Sequence, residues 1–174
     1  RLRDGDDPGD AAVYEKTPQL AQASIGQNDV SATPLQMAMV AGAIGNGGTM
    51  MTPHVMAEVR DRKQESIDTY QPSVWRTPVS KETAEIMRRG MVEVATNGTA
   101  KAMAIGGVEV GGKTGTAQLG TPDPKSHAWV IGFAGPAGQP AQVAVAVLVQ
   151  GQPGASEQTG GRVAAPVAKQ VLEA

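Results

Sequence analysis

The sequence predicts an α+β fold: an antiparallel sheet of three consecutive strands, over about residues 108–150, flanked by helices. Three observations predict it. Val108, Val110, Thr114 and Thr116 hold a period of two, which is the spacing of a strand with two opposed faces. Two further runs, His127 to Ala134 and Gln142 to Gln150, follow in series, divided by turn residues around Pro122-Asp123-Pro124 and from Gly135 to Pro140; runs joined this way form a meander. Helical periodicity with capping residues appears on both sides of the three runs.

At 174 residues the chain suffices for one domain with a real core. Seventeen acids against fifteen bases give a net charge of -2, so a polybasic surface for nucleic acid is excluded. One Phe, two Tyr and two Trp leave the core to aliphatic residues and leave little for stacking on bases. The absence of cysteine excludes disulfides and thiolate metal sites. No cofactor is expected. The longest apolar stretch, Val143 to Val149, is of strand length, short of the ~18 residues of a membrane span.

In chain order, residues 1 to 12 are charged and rich in turn formers. Asp4, Asp6, Asp7 and Asp10 lack the spacing of a calcium loop and read as a solvated segment. Thr33 and Pro34 supply an N-cap and first position for a helix in which Leu35, Met39 and Ala43 recur four apart, stopped by Gly45-Asn46-Gly47-Gly48. His54 reads as structural, ahead of an alternating Val55 to Val59. Residues 60 to 79 are polar and read as a connection anchored by Trp75. Ser80 caps a helix from Lys81 to Thr96, with Met87, Met91 and Val94 as its apolar stripe and Glu82, Glu85, Arg88 and Arg89 facing water. A last helix, Ala164 to Leu172, should pack across the sheet.

The chemistry concentrates in Gly111-Gly112-Lys113-Thr114-Gly115-Thr116. Strand alternation puts the Thr114 and Thr116 hydroxyls on one face and Lys113 with Gly115 on the other. Glycines inside a strand mark a close approach by a ligand or another backbone. Taken alone, the residues also fit a glycine-rich edge strand with a surface lysine. Gly107 to Thr114 further fits the phosphate-loop pattern G-x-x-x-x-G-K-[ST]. That loop needs a following helix, whereas Gly-Thr-Ala-Gln-Leu-Gly-Thr-Pro comes after Lys113-Thr114, so nucleotide binding is the remote alternative.

Lys113-Thr114-Gly115 matches the third motif of the penicillin-recognising serine enzymes. Around it, in order, stand Ile25-Gly26-Gln27 with Thr33 to Ala38, Gly90-Met91-Val92 through Gly98-Thr99-Ala100, His127 to Ala134, and Gly161 to Val167. From about residue 18 onward the chain resembles the class B penicillin-binding proteins. The resemblance implies peptidoglycan D,D-transpeptidation through a serine acyl-enzyme, with β-lactams as inhibitors and stem peptides as substrates. It implies that Lys113, Thr114 and Thr116 bind the substrate carboxylate, that the Thr116 backbone N–H is an oxyanion donor, and that Gly115 leaves room for the nucleophile's helix. It implies, too, an extracytoplasmic site anchored by an N-terminal segment, and partners among cell-wall synthesis or division proteins. A carboxypeptidase, a β-lactamase or a non-enzymatic β-lactam-binding sensor would share Lys113 to Thr116.

The family's other motifs are Ser-x-x-Lys and Ser-x-Asn. Ser24, Ser31, Ser66, Ser73, Ser80, Ser126 and Ser156 are followed three places on by Gln, Pro, Thr, Arg, Thr, Trp and Thr, and none is followed two places on by Asn. No nucleophile is expected in these residues. The chain, 1–174, is therefore expected to be the C-terminal portion of one transpeptidase domain, with its N-terminal portion as a partner chain. His127 has no spacing to Asp123 or Ser126 that makes a triad, and reads as a residue of the cleft rim.

Overall fold

The computed structural model describes residues 17–27, 30–118, 126–152 and 158–174. The acidic cluster at 4–10 and the turn around Pro122-Asp123-Pro124 lie outside the described residues. The three predicted strands are β5 (Glu109–Gln118), β6 (Ser126–Gly135) and β7 (Val143–Val149), paired antiparallel in the order β5-β6-β7. The register is unbroken over ten pairs from Glu109↔Gly135 to Gln118↔Ser126, and Ala128 to Ala134 pair with Val149 to Val143. Before the sheet come α1 (Thr17–Ser24), α2 (Pro34–Gly45), the short strands β1 (Met50–Met51), β2 (Glu58–Arg60), β3 (Ser66–Thr69) and β4 (Val74–Arg76), and α3 (Lys81–Thr96). A 3-10 turn, Lys101–Met103, leads into β5. A single π-helical turn, Gly160–Ala164, leads into α4 (Ala165–Glu173).

Each face of the sheet has its own cluster. On one, Val110, Ala128, Val130 and Val145 pack against Ala100, Met103, Ala164, Ala165 and Ala168, so α4 lies across the sheet as expected. On the other, Phe133 meets Ile44 of α2 and Met91 of α3. Small residues let α2 come close: a Cβ on Gly42 would touch Ala144 Cβ at 3.4 Å, and one on Gly45 would fall 2.9 Å from the Phe133 ring. α2 starts at a capping box, Thr33 accepting from the Gln36 N–H and Gln36 accepting from the Thr33 N–H, with Pro34 at its first position. Leu35, placed in its stripe by periodicity, is exposed; the buried positions are Ala41, Ala43, Ile44 and Gly45.

Three expectations are corrected here. Residues 60 to 79 are not a plain connection: β2 and β3 form a hairpin, and β4 returns to pair with β1. Trp75 does not anchor this segment; it is half exposed on β4, under the Arg76 guanidinium at 4.5 Å. On α3, Met87 is exposed and Arg88 turns inward, donating from Nε to Glu109 Oε1 at 2.9 Å and from a terminal nitrogen to the same carboxylate and to the Gln139 carbonyl. Its buried stripe is Ala84, Met91 and Ala95, with Arg88 on the same line and its guanidinium above the Phe133 ring. His54 stacks on Tyr70, ring centroids 3.5 Å apart, and its Nδ1–H donates to the Met56 carbonyl. Among the described residues no helix is long and apolar enough to cross a membrane.

Candidate active site

Among the described residues β5 is an edge strand, bonded to β6 on one side only. In an antiparallel ladder the N–H and C=O of one residue point the same way, and that direction alternates along the strand. The Gln27 carboxamide reveals which residues face outward. Its Nε2 donates to the Thr116 carbonyl at 2.9 Å, and its Oε1 accepts the Gln118 N–H at 3.3 Å. Lys113 Nζ donates to the Thr114 carbonyl at 2.6 Å. Thr114, Thr116 and Gln118 therefore present their backbone groups to the open edge, and the Thr116 N–H points the same way.

Side chains obey a separate alternation. Lys113 and Gly115 stand opposite Ile131 and Trp129, on the face that α2 covers further along. Thr114 points to the other face, where its Oγ1 lies 2.7 Å from Thr99 Oγ1, just beyond the end of α3. The start of the π-helical turn presses on the same region. A Cβ on Gly160 would lie 2.0 Å from the Trp129 carbonyl oxygen and 2.9 Å from that of Gly115, and one on Gly161 would lie 2.3 Å from the Thr99 carbonyl oxygen. Only glycine permits that approach.

A cleft of ≈280 Å³ opens beside the strand, lined by Lys113 to Ala117, by Trp129 and Ile131, and by Gln27 and Met37 from across it. Lys113, Thr114, Gly115 and Thr116 all line this cleft, whose other sheet residues, Trp129 and Ile131, belong to the Lys113 face, while the Thr114 hydroxyl is turned to the opposite face. Lys113 and Thr116 are exposed, Thr114 and Gly115 half-buried. The strand runs on to Gln118, so no helix starts at Thr114 as a phosphate loop would require.

The other strand glycines serve side chains, not a ligand or a backbone. A Cβ on Gly111 would strike the Phe133 ring, and one on Gly112 would lie 2.8 Å from the Met103 sulfur. His127 is held by the Gly151 N–H, which donates to its Nδ1 at 3.1 Å; Asp123 lies outside the described residues, and the Ser126 hydroxyl donates to the Gln158 carbonyl. Among the described residues no group of three or more His, Asp or Glu is placed to hold a metal ion. Reading by spacing could not place Gln27 or Thr99 at this strand, since they arrive from 89 and 15 residues away.

Residues 4–173 match the penicillin binding protein transpeptidase domain, and the chain belongs to that family. Among individual proteins, it is 42% identical over 158 residues to the peptidoglycan D,D-transpeptidase PbpA of Mycolicibacterium smegmatis, covering 89% of this chain and 31% of that protein. It is 35% identical over 159 residues to the stage V sporulation protein D of Bacillus subtilis, covering 88% of this chain and 24% of that protein. The ceftriaxone acyl-enzyme of penicillin-binding protein A from M. tuberculosis superposes with a TM-score of 0.80 at 39% identity, over 92% of this chain and 36% of that one. The chain therefore spans about a third or less of the length of these relatives.

Proposed function

We propose that this chain is the C-terminal portion of a peptidoglycan D,D-transpeptidase domain and forms the Lys113-Thr114-Gly115-Thr116 wall of its cleft. The reaction joins stem peptides in two steps. A serine hydroxyl attacks the carbonyl between two D-alanines, releasing the terminal one and leaving an acyl-enzyme; an amine of a second stem peptide then takes the acyl group and frees the serine. The serine comes from the N-terminal portion of the same protein, because none of the seven serines here stands in Ser-x-x-Lys.

The observation that carries this reading is the geometry of β5. An open strand edge offers the Thr116 N–H to a developing oxyanion, while Thr114 and Thr116 place hydroxyls on one face for the substrate's terminal carboxylate. A preorganised donor of the first kind contributes about 10²–10³ in rate. Lys113 supplies positive charge at the same edge, and Gly115 leaves the strand bare where the nucleophile's helix passes. β-Lactams acylate the same serine by opening of their ring amide, in line with the ceftriaxone acyl-enzyme of the M. tuberculosis relative. The site works on the outer side of the cytoplasmic membrane, tethered by an N-terminal segment, among cell-wall synthesis or division proteins.

The test is a fluorescent penicillin, a denaturing gel, and intact masses of each band. Label is expected on a polypeptide carrying the N-terminal portion, whether separate from this chain or continuous with it. Label on a band with this chain's mass alone would place the nucleophile here, and no label on any band would overturn acyl transfer.

A further inference from the structure

We propose that Thr99 is a positioning residue of the carboxylate site: it donates its hydroxyl proton to Thr114 Oγ1, and so sets the Thr114 hydroxyl to donate outward to an anionic oxygen. This rests on the reading of Thr114 as a carboxylate anchor.

The two oxygens are 2.7 Å apart, the distance of a well-formed O–H···O bond. One proton fills that bond. If Thr114 supplied it, Thr114 would show only lone pairs to a ligand on its own face of the strand edge, and a carboxylate, which has no proton to give, would be repelled. If Thr99 supplies it, the Thr114 proton is free for the ligand, and the bond Thr114 accepts strengthens the one it donates. An anion bound at Thr114 therefore selects the second arrangement.

Thr99 is held from both sides. Behind it, α3 ends with the Gly98 and Ala100 N–H groups both donating to the Val94 carbonyl at 3.1 Å, and a Cβ on Gly98 would lie 2.8 Å from Val94 Cα. Beyond it, Gly161 closes on its carbonyl oxygen, and Ala100 is fully buried. The hydroxyl is thus aimed at Thr114 by backbone tied into the core, which reduces the ordering cost when ligand arrives.

The experiment uses the full-length protein and compares acylation by benzylpenicillin with acylation by its methyl ester, in wild type, Thr99→Val and Thr99→Ser. The wild type should prefer the free acid. Thr99→Val should cut that preference about 5- to 10-fold, the worth of one hydrogen bond, by slowing the acid while the ester changes less than about 2-fold. Thr99→Ser should restore it. Taking the ratio within one preparation cancels any loss of folded protein. Equal losses on acid and ester, or none on either, would overturn the proposal by reducing Thr99 to a packing residue. A wild type without preference for the acid would overturn the anchor reading first, and would show it before any variant is made.

Discussion

The Phe133 ring lies across Gly111 on the neighbouring strand so closely that a Cβ there would fall 2.2 Å from Phe133 Cζ. Phe133 is 1% exposed and is the centre of one core cluster, so the ring has nowhere to go. Gly111→Ala should cost about 1–3 kcal/mol, the range for overpacking a filled core. Chemical denaturation of the full-length protein measures it, and a midpoint equal to wild type would refute the close packing.

Arg88 ties α3 to Glu109 at the start of β5 and to the Gln139 carbonyl before β7. The pair is mostly shielded, with side chains 14% and 22% exposed. Arg88→Ala should therefore destabilise by about 1.5–3 kcal/mol, as expected for hydrogen bonds to a charged group whose partner is left behind. Removing Glu109 as well should recover part of the loss; a double variant as unstable as the sum of the singles would mean the two residues act apart.

The Gln27 carboxamide stands where the next strand's peptide group would stand, one donor and one acceptor on the edge of β5. In Gln27→Ala the Gln118 amide should exchange with solvent about 5- to 10-fold faster, for the loss of one modest hydrogen bond. Exchange within the β6–β7 ladder should not change. An unaltered Gln118 rate would show that this contact holds nothing.

Gly115 differs from its neighbours in having space: a Cβ would meet only Trp129 Cβ, at 3.4 Å. Among the described residues nothing fills that space, which is left for the nucleophile's helix. Gly115→Val should all but abolish β-lactam acylation, by about 10²-fold or more if the reacting groups are displaced by about 1 Å. An acylation rate like that of wild type would remove the assigned role of Gly115.

For Lys113 the expected outcome is kinetic. Its side chain is exposed and, among the described residues, its one hydrogen bond is to the adjacent Thr114 carbonyl, so Lys113→Ala should leave the melt unchanged while slowing acylation by about 10²-fold, on the scale of losing one electrostatic stabiliser. A minor loss would count against it.

The sheet was legible because its signals are local. Period-two alternation and turn residues placed β5, β6 and β7 within a residue or so of where they stand. The pairs β1–β4 and β2–β3 were not legible: their strands are two to four residues long, mostly exposed, and Met50 finds its partner only at Arg76. α3 misled for another reason. Its inward stripe is built on Ala84 and Ala95 with an arginine on the same line, so the large apolar Met87 drew the prediction to the wrong side. At the cleft, Lys113 to Thr116 stood out by their motif and the family pattern around them. Thr99 and Gln27 carry no spacing relation to β5, and folding alone brings them there.

α3 joins the two sides of the sheet. Met91 and Val92 belong to the Phe133 cluster, while Val94 and Ala95, one turn later, belong to the other, and the helix then ends at Thr96, three residues before Thr99. The two clusters should accordingly open together as one cooperative unit, with no separate low-energy opening of the Thr114 face. The hydroxyl beside Thr114 then shares the stability of Phe133, a ring on the opposite side of the sheet, and a weakened core there would loosen both faces at once.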